Sequence, residues 1–335
     1  MSDMGHEWTD EQIEKLSVRM HEMYAQAANE MQDKLELWLK DYEDKRRQWV
    51  KDVKSGSKTK EEFDKWLKDR AAERSWQTNM INQLSIDAVN ADIRARQMIN
   101  DELPSICAEN ANMEAYNLCN KTGLDLSFTI YDQDSIRFLM TDPTIYPTID
   151  AAKDFAWNQK KFTSAITQSI LQGESMPNAA KRLTGVLAMN RSAAIMVART
   201  SITYVEGMGK RNSFKRAADM GIPLKMQWNA LHDGRTRYEH RQMDKVQVNV
   251  GEMFDVDGHK MTGPADPTAP AYLICNCRCR LTGEIGYDGI TPAVTIGKDK
   301  FPKDVTYEEW KSGVYRTDAS GKETKDSMRE RGVKE

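Results

Sequence analysis

Apolar side chains recur at steps of three and four along the start of the chain: Ile13, Leu16, Met20, Met23, Ala27, Met31, Leu35, Trp38 and Tyr42. That period is one face of an α-helix, because residues three and four apart stack along a helix whereas a strand alternates. Ser55-Gly56-Ser57 breaks the pattern. Thr59 followed by Glu62 reads as a capping box. Phe63, Trp66, Leu67, Met80, Leu84, Ile93 and Ile99 then carry a second apolar face, with a stop expected at Pro104. Residues 1–104 therefore read as a long hairpin of two antiparallel helices. Trp38, Trp49, Trp66 and Trp76 exceed what a two-helix contact needs, which marks this hairpin as the docking element.

The 335 residues predict two or more folded units, and 30% charge against 39% hydrophobic residues suits extended amphipathic helices better than a compact barrel. No run reaches the ~20 apolar residues of a membrane span, and MSDMGHEW has no apolar signal core. The expected site of synthesis is the cytoplasm, where the five cysteines stay reduced and a disulfide is disfavoured.

Residues 105–150 read as a connecting segment, in which SFTIYDQDSIRFL allows a short strand before a helix and DPTIYPTID is a loop. Residues 151–222 read as a basic helical region. One helix ends at Gly173, another restarts after Pro177, a long helix covers Ser192 to Ala218, and Gly221-Ile222-Pro223 stops it. Residues 151–220 hold eleven basic and four acidic side chains. Lys181, Arg182, Arg191, Arg199, Lys210, Arg211, Lys215 and Arg216 form either a solvated face or a surface that follows double-stranded DNA through its phosphates.

Beyond Pro223 the texture changes to strands and turns, over a small module at 223–290. KMQWNAL reads as a strand, MFDVDGHKM as a hairpin with Asp257-Gly258 at its tip, and YLICNCRCRLTGEI as the last strand. Residues 291–335 form a polar tail expected to be flexible. The fold class is α+β: helical over the first two thirds, with a small mixed module at the C-terminal end.

Three of the five histidines (His232, His240, His259) and three of the five cysteines (Cys275, Cys277, Cys279) fall within that module. On a flat strand, alternate residues share a face about 7 Å apart, whereas two thiolates on a tetrahedral zinc lie about 3.8 Å apart. A bend at Asn276 or Arg278 would bring two sulfurs together, and a histidine would add a third ligand. A structural zinc site, cysteines packed as small hydrophobes, and a thiol activated by His240 with Arg235 and Arg278 all remain open. Geometry alone leaves open which two cysteines and which histidine would bind zinc. No cofactor other than zinc is suggested.

The stretch WNALHDGRTRYEHRQMD, then GPADP, then NCRC resembles the Mu F-like minor head protein family of tailed bacteriophages, also known as the phage head morphogenesis family. The pattern falls on Trp228, Asp233, Arg235, Thr236, Arg237, His240, Pro264, Asp266, Pro267, Asn276, Cys277, Arg278 and Cys279, with Ala198-Arg199-Thr200 as a helical lead-in. Two departures stand out: Asp244-Lys245 where the family often has Asp-Gly or Asn-Gly, and Cys275 at a place usually apolar. The resemblance therefore points to Cys277 and Cys279 as the pair, and implies that any bound zinc is held by His240, Cys277 and Cys279, with His232, Asp233 or Cys275 as the fourth ligand. The resemblance implies a virion component of low copy number, inside the head near the portal, acting in head assembly and in DNA packaging or delivery. Its implied partners are the portal protein, the major capsid or scaffolding protein, and double-stranded DNA. The competing reading is a metal-dependent nuclease or toxin-like enzyme built on HDGRTRYEH and NCRC; the paucity of a general base and of metal carboxylates at a recognisable spacing counts against it, and no enzyme is expected.

Overall fold

The computed structural model describes residues 3–73, 75–126, 128–286 and 300–313. Long helices dominate: α1 (Met4–Ser55), α2 (Lys60–Ala72), α3 (Ser75–Thr122), α4 (Gln133–Leu139), α5 (Ala151–Leu171) and α6 (Met176–Asp219). Then come β1 (Leu224–Asn229), α7 (Tyr238–Gln242), β2 (Gln247–Asn249), β3 (Phe254–Val256), β4 (His259–Met261), α8 (Ala271–Ile274), β5 (Arg280–Ile285) and α9 (Tyr307–Ser312). The fold is α+β, as expected. Its described residues form two compact units, one drawn from Met1–Glu14, Asn100–Tyr146 and Val197–Glu335, the other from Lys15–Ile99 and Pro147–Met196. Composition divides the chain into runs of local character; these units join stretches far apart in sequence.

In the unit built on Lys15–Ile99 and Pro147–Met196, α1 buries Leu16, Met20, Tyr24, Met31, Leu35, Leu39 and Tyr42. Trp38, assigned to this face by spacing, is exposed and Leu39 takes its place. The capping box at Thr59 and Glu62 starts α2, with both reciprocal hydrogen bonds made. Trp49 stacks on Phe63 and Trp66, with ring centroids at 6.1 and 5.9 Å, and Trp66 also stacks on Tyr42. Those two tryptophans are thus spent within the unit. Gly173 takes φ 61° beyond the end of α5, the left-handed conformation a helix stop requires.

Glu43 joins α1 to the start of α6. Its carboxylate accepts hydrogen bonds from Arg46 (2.9 and 3.0 Å), Arg47 (2.8 Å) and the Met176 amide (3.1 Å). Burial works against its charge, but the two arginines and the amide hold its pKa down to about 2. Because that lies below the ordinary 4.5, this stabilisation is present above about pH 4.5 and is lost as pH falls toward 2. Glu43→Gln should cost roughly 1–3 kcal/mol at neutral pH, and thermal melts should converge with wild type in acid. Parallel pH profiles for the two proteins would refute this role.

The second unit is organised around α3 and α6. The expected stop at Pro104 does not occur, since α3 continues to Thr122. Leu103, Ile106, Cys107, Ala108, Ala111, Met113, Ala115 and Leu118 are all buried, and packing on nearly every side outweighs the hydrogen bond that proline removes. A truncation at 104 would therefore cut a buried helix. A Cβ on Gly209 would collide with the Cys107 carbonyl oxygen, so α6 meets α3 at a point where only glycine fits.

Lys210 is buried beside this contact. Its Nζ donates to Asp3 (3.0 and 2.8 Å) and Glu206 (2.9 Å), while His6 Nδ1 lies 3.1 Å from Glu206. The antiparallel sheet runs β2-β1-β5, with Trp228 opposite Leu281, and β3 pairs with β4. The β3–β4 turn has Asp257 at φ 53° and Gly258 at φ 78°, the doubly left-handed turn expected at that tip. No strand forms at 128–132, where packing leads directly into α4. Of the tail expected to be flexible, 291–299 and 314–335 lie outside the described residues. Within it, α9 buries Tyr307 and Trp310 against Tyr116, an aromatic cluster that the overall polarity of the tail conceals.

Candidate functional site

ICNCRCR is not one strand. Ala271–Ile274 forms the short helix α8, Asn276 turns the chain at φ 55°, and β5 begins only at Arg280. Asparagine is among the few residues that tolerate this left-handed conformation. The Asn276 amide donates to Thr200 Oγ1 at 3.1 Å, and Thr203 Oγ1 donates to the Cys277 carbonyl at 3.2 Å, so α6 holds the turn from behind. The bend turns Cys277 and Cys279 inward toward α7.

His240 on α7 meets them. Its Nδ1 lies 3.6 Å from Cys277 Sγ and 3.3 Å from Cys279 Sγ, and all three side chains are buried. The ring stands edge-on to Trp228, with centroids 5.4 Å apart, and its buried Nε2 has no hydrogen-bond partner. The two thiols share their protons unequally. Cys277 donates toward Cys279 and keeps its proton, which with burial pushes its pKa up, while that same hydrogen bond and His240 pull Cys279 down against burial. The Trp228 indole N–H also favours the Cys279 thiolate, without reaching good hydrogen-bond geometry.

Asp233 braces the loop that leads into α7. Arg278 donates to both its oxygens at 2.5 and 2.9 Å, and the Arg235 amide and Thr236 hydroxyl add bonds of 3.0 Å each. The paired Arg278 guanidinium is the main reason Asp233 stays well below the usual carboxylate range. Thr236 also donates to the Leu231 carbonyl, and Arg237 to that of Cys275. Asp266, between Pro264 and Pro267, accepts from the amides and hydroxyls of Thr262 and Thr268 and so closes its own loop.

None of the expected fourth ligands joins the cluster. His232 is exposed and pairs with Asp244 at 2.9 Å, Asp233 is taken by Arg278, and Cys275 is half-buried and not part of the cluster. Arg235 is exposed rather than facing the thiols. A cavity of about 10 Å³ adjoins the cluster, lined by Thr236, His240, Asn276, Cys277, Arg278 and Cys279 among others. That is the room of a single water, not of a substrate. At the first departure from the family pattern, Lys245 takes φ 65°, so the backbone keeps the conformation that glycine would adopt freely.

The eight basic residues divide between the two units. Lys181 and Lys215 are exposed. Arg182 is bound to Glu174 at 2.5 Å, Arg191 meets His21 at 2.9 Å, and Arg199 is half-buried. Arg211 lies over the Tyr204 ring, with burial pulling its pKa down, and Arg216 lies over Phe128 and Tyr131 while donating to the Thr129 carbonyl. Lys210 is the clear correction: it is inside the protein and ion-paired, so phosphates cannot reach it. The i, i+4 spacing of Glu206 and Lys210 was a signal for that pairing. Nothing local pointed to Asp3.

Residues 160–282 match the family model described as Phage Mu protein F like protein. The NAD(+)--arginine ADP-ribosyltransferase EFV of Enterococcus faecalis is 25% identical over 217 residues, 61% of this chain and 42% of that protein. Minor head protein GP7 of Bacillus phage SPP1 is 26% identical over 238 residues, 66% of this chain and 74% of its own. The chain thus spans less than half of the first relative and about three quarters of the second. No solved structure matches it.

Proposed function

We propose that this chain, whose residues 160–282 match the model of Phage Mu protein F like protein, is a phage head protein that acts in head assembly and in the packaging or delivery of the genome. It lies inside the head near the portal, contacts the portal protein and the capsid or scaffolding protein, and holds double-stranded DNA without reading its sequence. The observation that carries this is the likeness to a minor head protein over most of that protein's length. The basic character of 151–220 adds support, with Lys181 and Lys215 open to a polyanion. The activity for which the ADP-ribosyltransferase is named belongs to a protein matched over less than half its length. The chain is accordingly read as a non-enzymatic virion component.

Gel shifts with duplex DNA test the electrostatic part. Affinity should fall steeply with salt, and Lys181→Ala together with Lys215→Ala should lower the log–log salt slope by about 1 for each phosphate no longer neutralised, equally for unrelated sequences. No binding at low salt, or no change in the variant, would overturn it. Co-purification with a portal protein tests the placement, and its absence would overturn it.

A further inference from the structure

His240, Cys277 and Cys279 converge more tightly than packing requires, and on one atom. A neutral imidazole Nδ1 makes one hydrogen bond in the ring plane, yet here it faces two sulfurs at 3.6 and 3.3 Å. As hydrogen bonds, these two contacts compete. As ligand edges, they agree: Zn–S bonds of about 2.3 Å and Zn–N bonds of about 2.0 Å at a tetrahedral angle place nitrogen and sulfur about 3.5 Å apart. All three ligand atoms lie within 4.8 Å of one another.

We propose that the cluster is a zinc site, with His240 Nδ1, Cys277 Sγ and Cys279 Sγ as protein ligands and one water completing the tetrahedron. Two thiolates balance the charge of the ion, and a soft two-sulfur, one-nitrogen set selects zinc over magnesium or calcium. Among the described residues no fourth histidine, cysteine or carboxylate joins the group. The adjoining cavity of about 10 Å³ gives the fourth vertex its room, since a buried water needs roughly 10–15 Å³. The three-ligand set with an open position is also that of catalytic zincs, but a cavity this small admits no substrate and leaves the ion as a staple. It ties α7 to the turn before β5, joining His240 and Cys277 at a sequence separation of 37, in a module whose sheet has three short strands. The proposal does not depend on the head-protein reading.

The test uses the full chain, purified without a histidine tag and under reducing conditions. Elemental analysis should find about one zinc per chain. Apoprotein prepared with a chelator should melt at lower temperature and recover on adding Zn²⁺ alone. Titrating the apoprotein with Co²⁺ should give a thiolate-to-cobalt charge-transfer band together with intense tetrahedral visible bands. Cys279→Ser should weaken zinc binding by at least tenfold, whereas Cys275→Ser should leave stoichiometry and spectrum unchanged. If Cys279→Ser fails to fold, the wild-type cobalt spectrum still decides. Zinc-free protein that neither takes up Zn²⁺ nor shifts its melting, or cobalt binding without a charge-transfer band, would overturn the site.

Discussion

Lys210→Met is expected to destabilise the protein by roughly 3–5 kcal/mol, the scale for removing one partner from a buried ion pair. The lysine supplies the positive charge among Asp3, Glu206 and Glu114, and burial already drives the Glu114 pKa up to about 7. Burial also opposes the charge of Glu206, yet Lys210, followed by His6, brings its pKa down to about 2. Without the lysine, Glu206 keeps only His6 at 3.1 Å against the burial that opposes its charge, so its pKa must rise from about 2. The sign follows: the gap between variant and wild type is largest above the pKa of the variant's carboxylate and narrows in acid, where that carboxylate protonates first, closing as pH falls toward 2. Urea unfolding across that range checks it. Exposed Lys215→Met should change stability by no more than about 0.5 kcal/mol, so equal losses for both variants would refute the buried cluster.

Trp228→Ala should cost about as much, roughly 3–5 kcal/mol for a fully buried tryptophan. The indole is fully buried, and meets His240 and Phe254 edge-on at 5.4 and 5.5 Å. Its backbone is pinned on the neighbouring segment, with Lys245 N–H donating to its carbonyl at 2.8 Å and its own N–H to Val246 at 3.0 Å. Removing the side chain empties the space between β1, α7 and the β3–β4 hairpin at once. Trp228→Phe, which keeps a ring there, should lose less than half as much. Denaturant midpoints measure both, and a loss below about 1 kcal/mol for the alanine variant would contradict the assignment of Trp228 as the centre of this core.

How much of this was readable beforehand depends on the range of the forces involved. A bend at Asn276 or Arg278 was legible because two thiolates cannot converge on a flat strand, and the structure makes it at Asn276, since asparagine tolerates φ 55°. His240 was legible through the motif spacing that also placed Asp233 and Arg278. The exclusion of His232 was not, because it turns on Asp244 capturing the ring at 2.9 Å. Lys210 and Lys215 each have an acidic residue four positions away, Glu206 and Asp219, and only the tertiary packing that buries Lys210 beside Asp3 separates the buried cation from the exposed one.

By itself the sequence determined what neighbours along the chain decide. The long helices follow from a period of three and four, the α2 cap from Thr59 and Glu62, the α5 stop from Gly173, and the β3–β4 turn from Asp257-Gly258. These are contests among local hydrogen bonds and backbone angles, settled within a turn or two of chain. The tertiary structure decided the rest. It carried α3 through Pro104, joined Asp3 to Lys210, buried Tyr307 and Trp310, and assembled each unit from separated stretches. Burial and charge pairing act across space, where the free energy of a side chain depends on which distant residues surround it, and no local pattern records that.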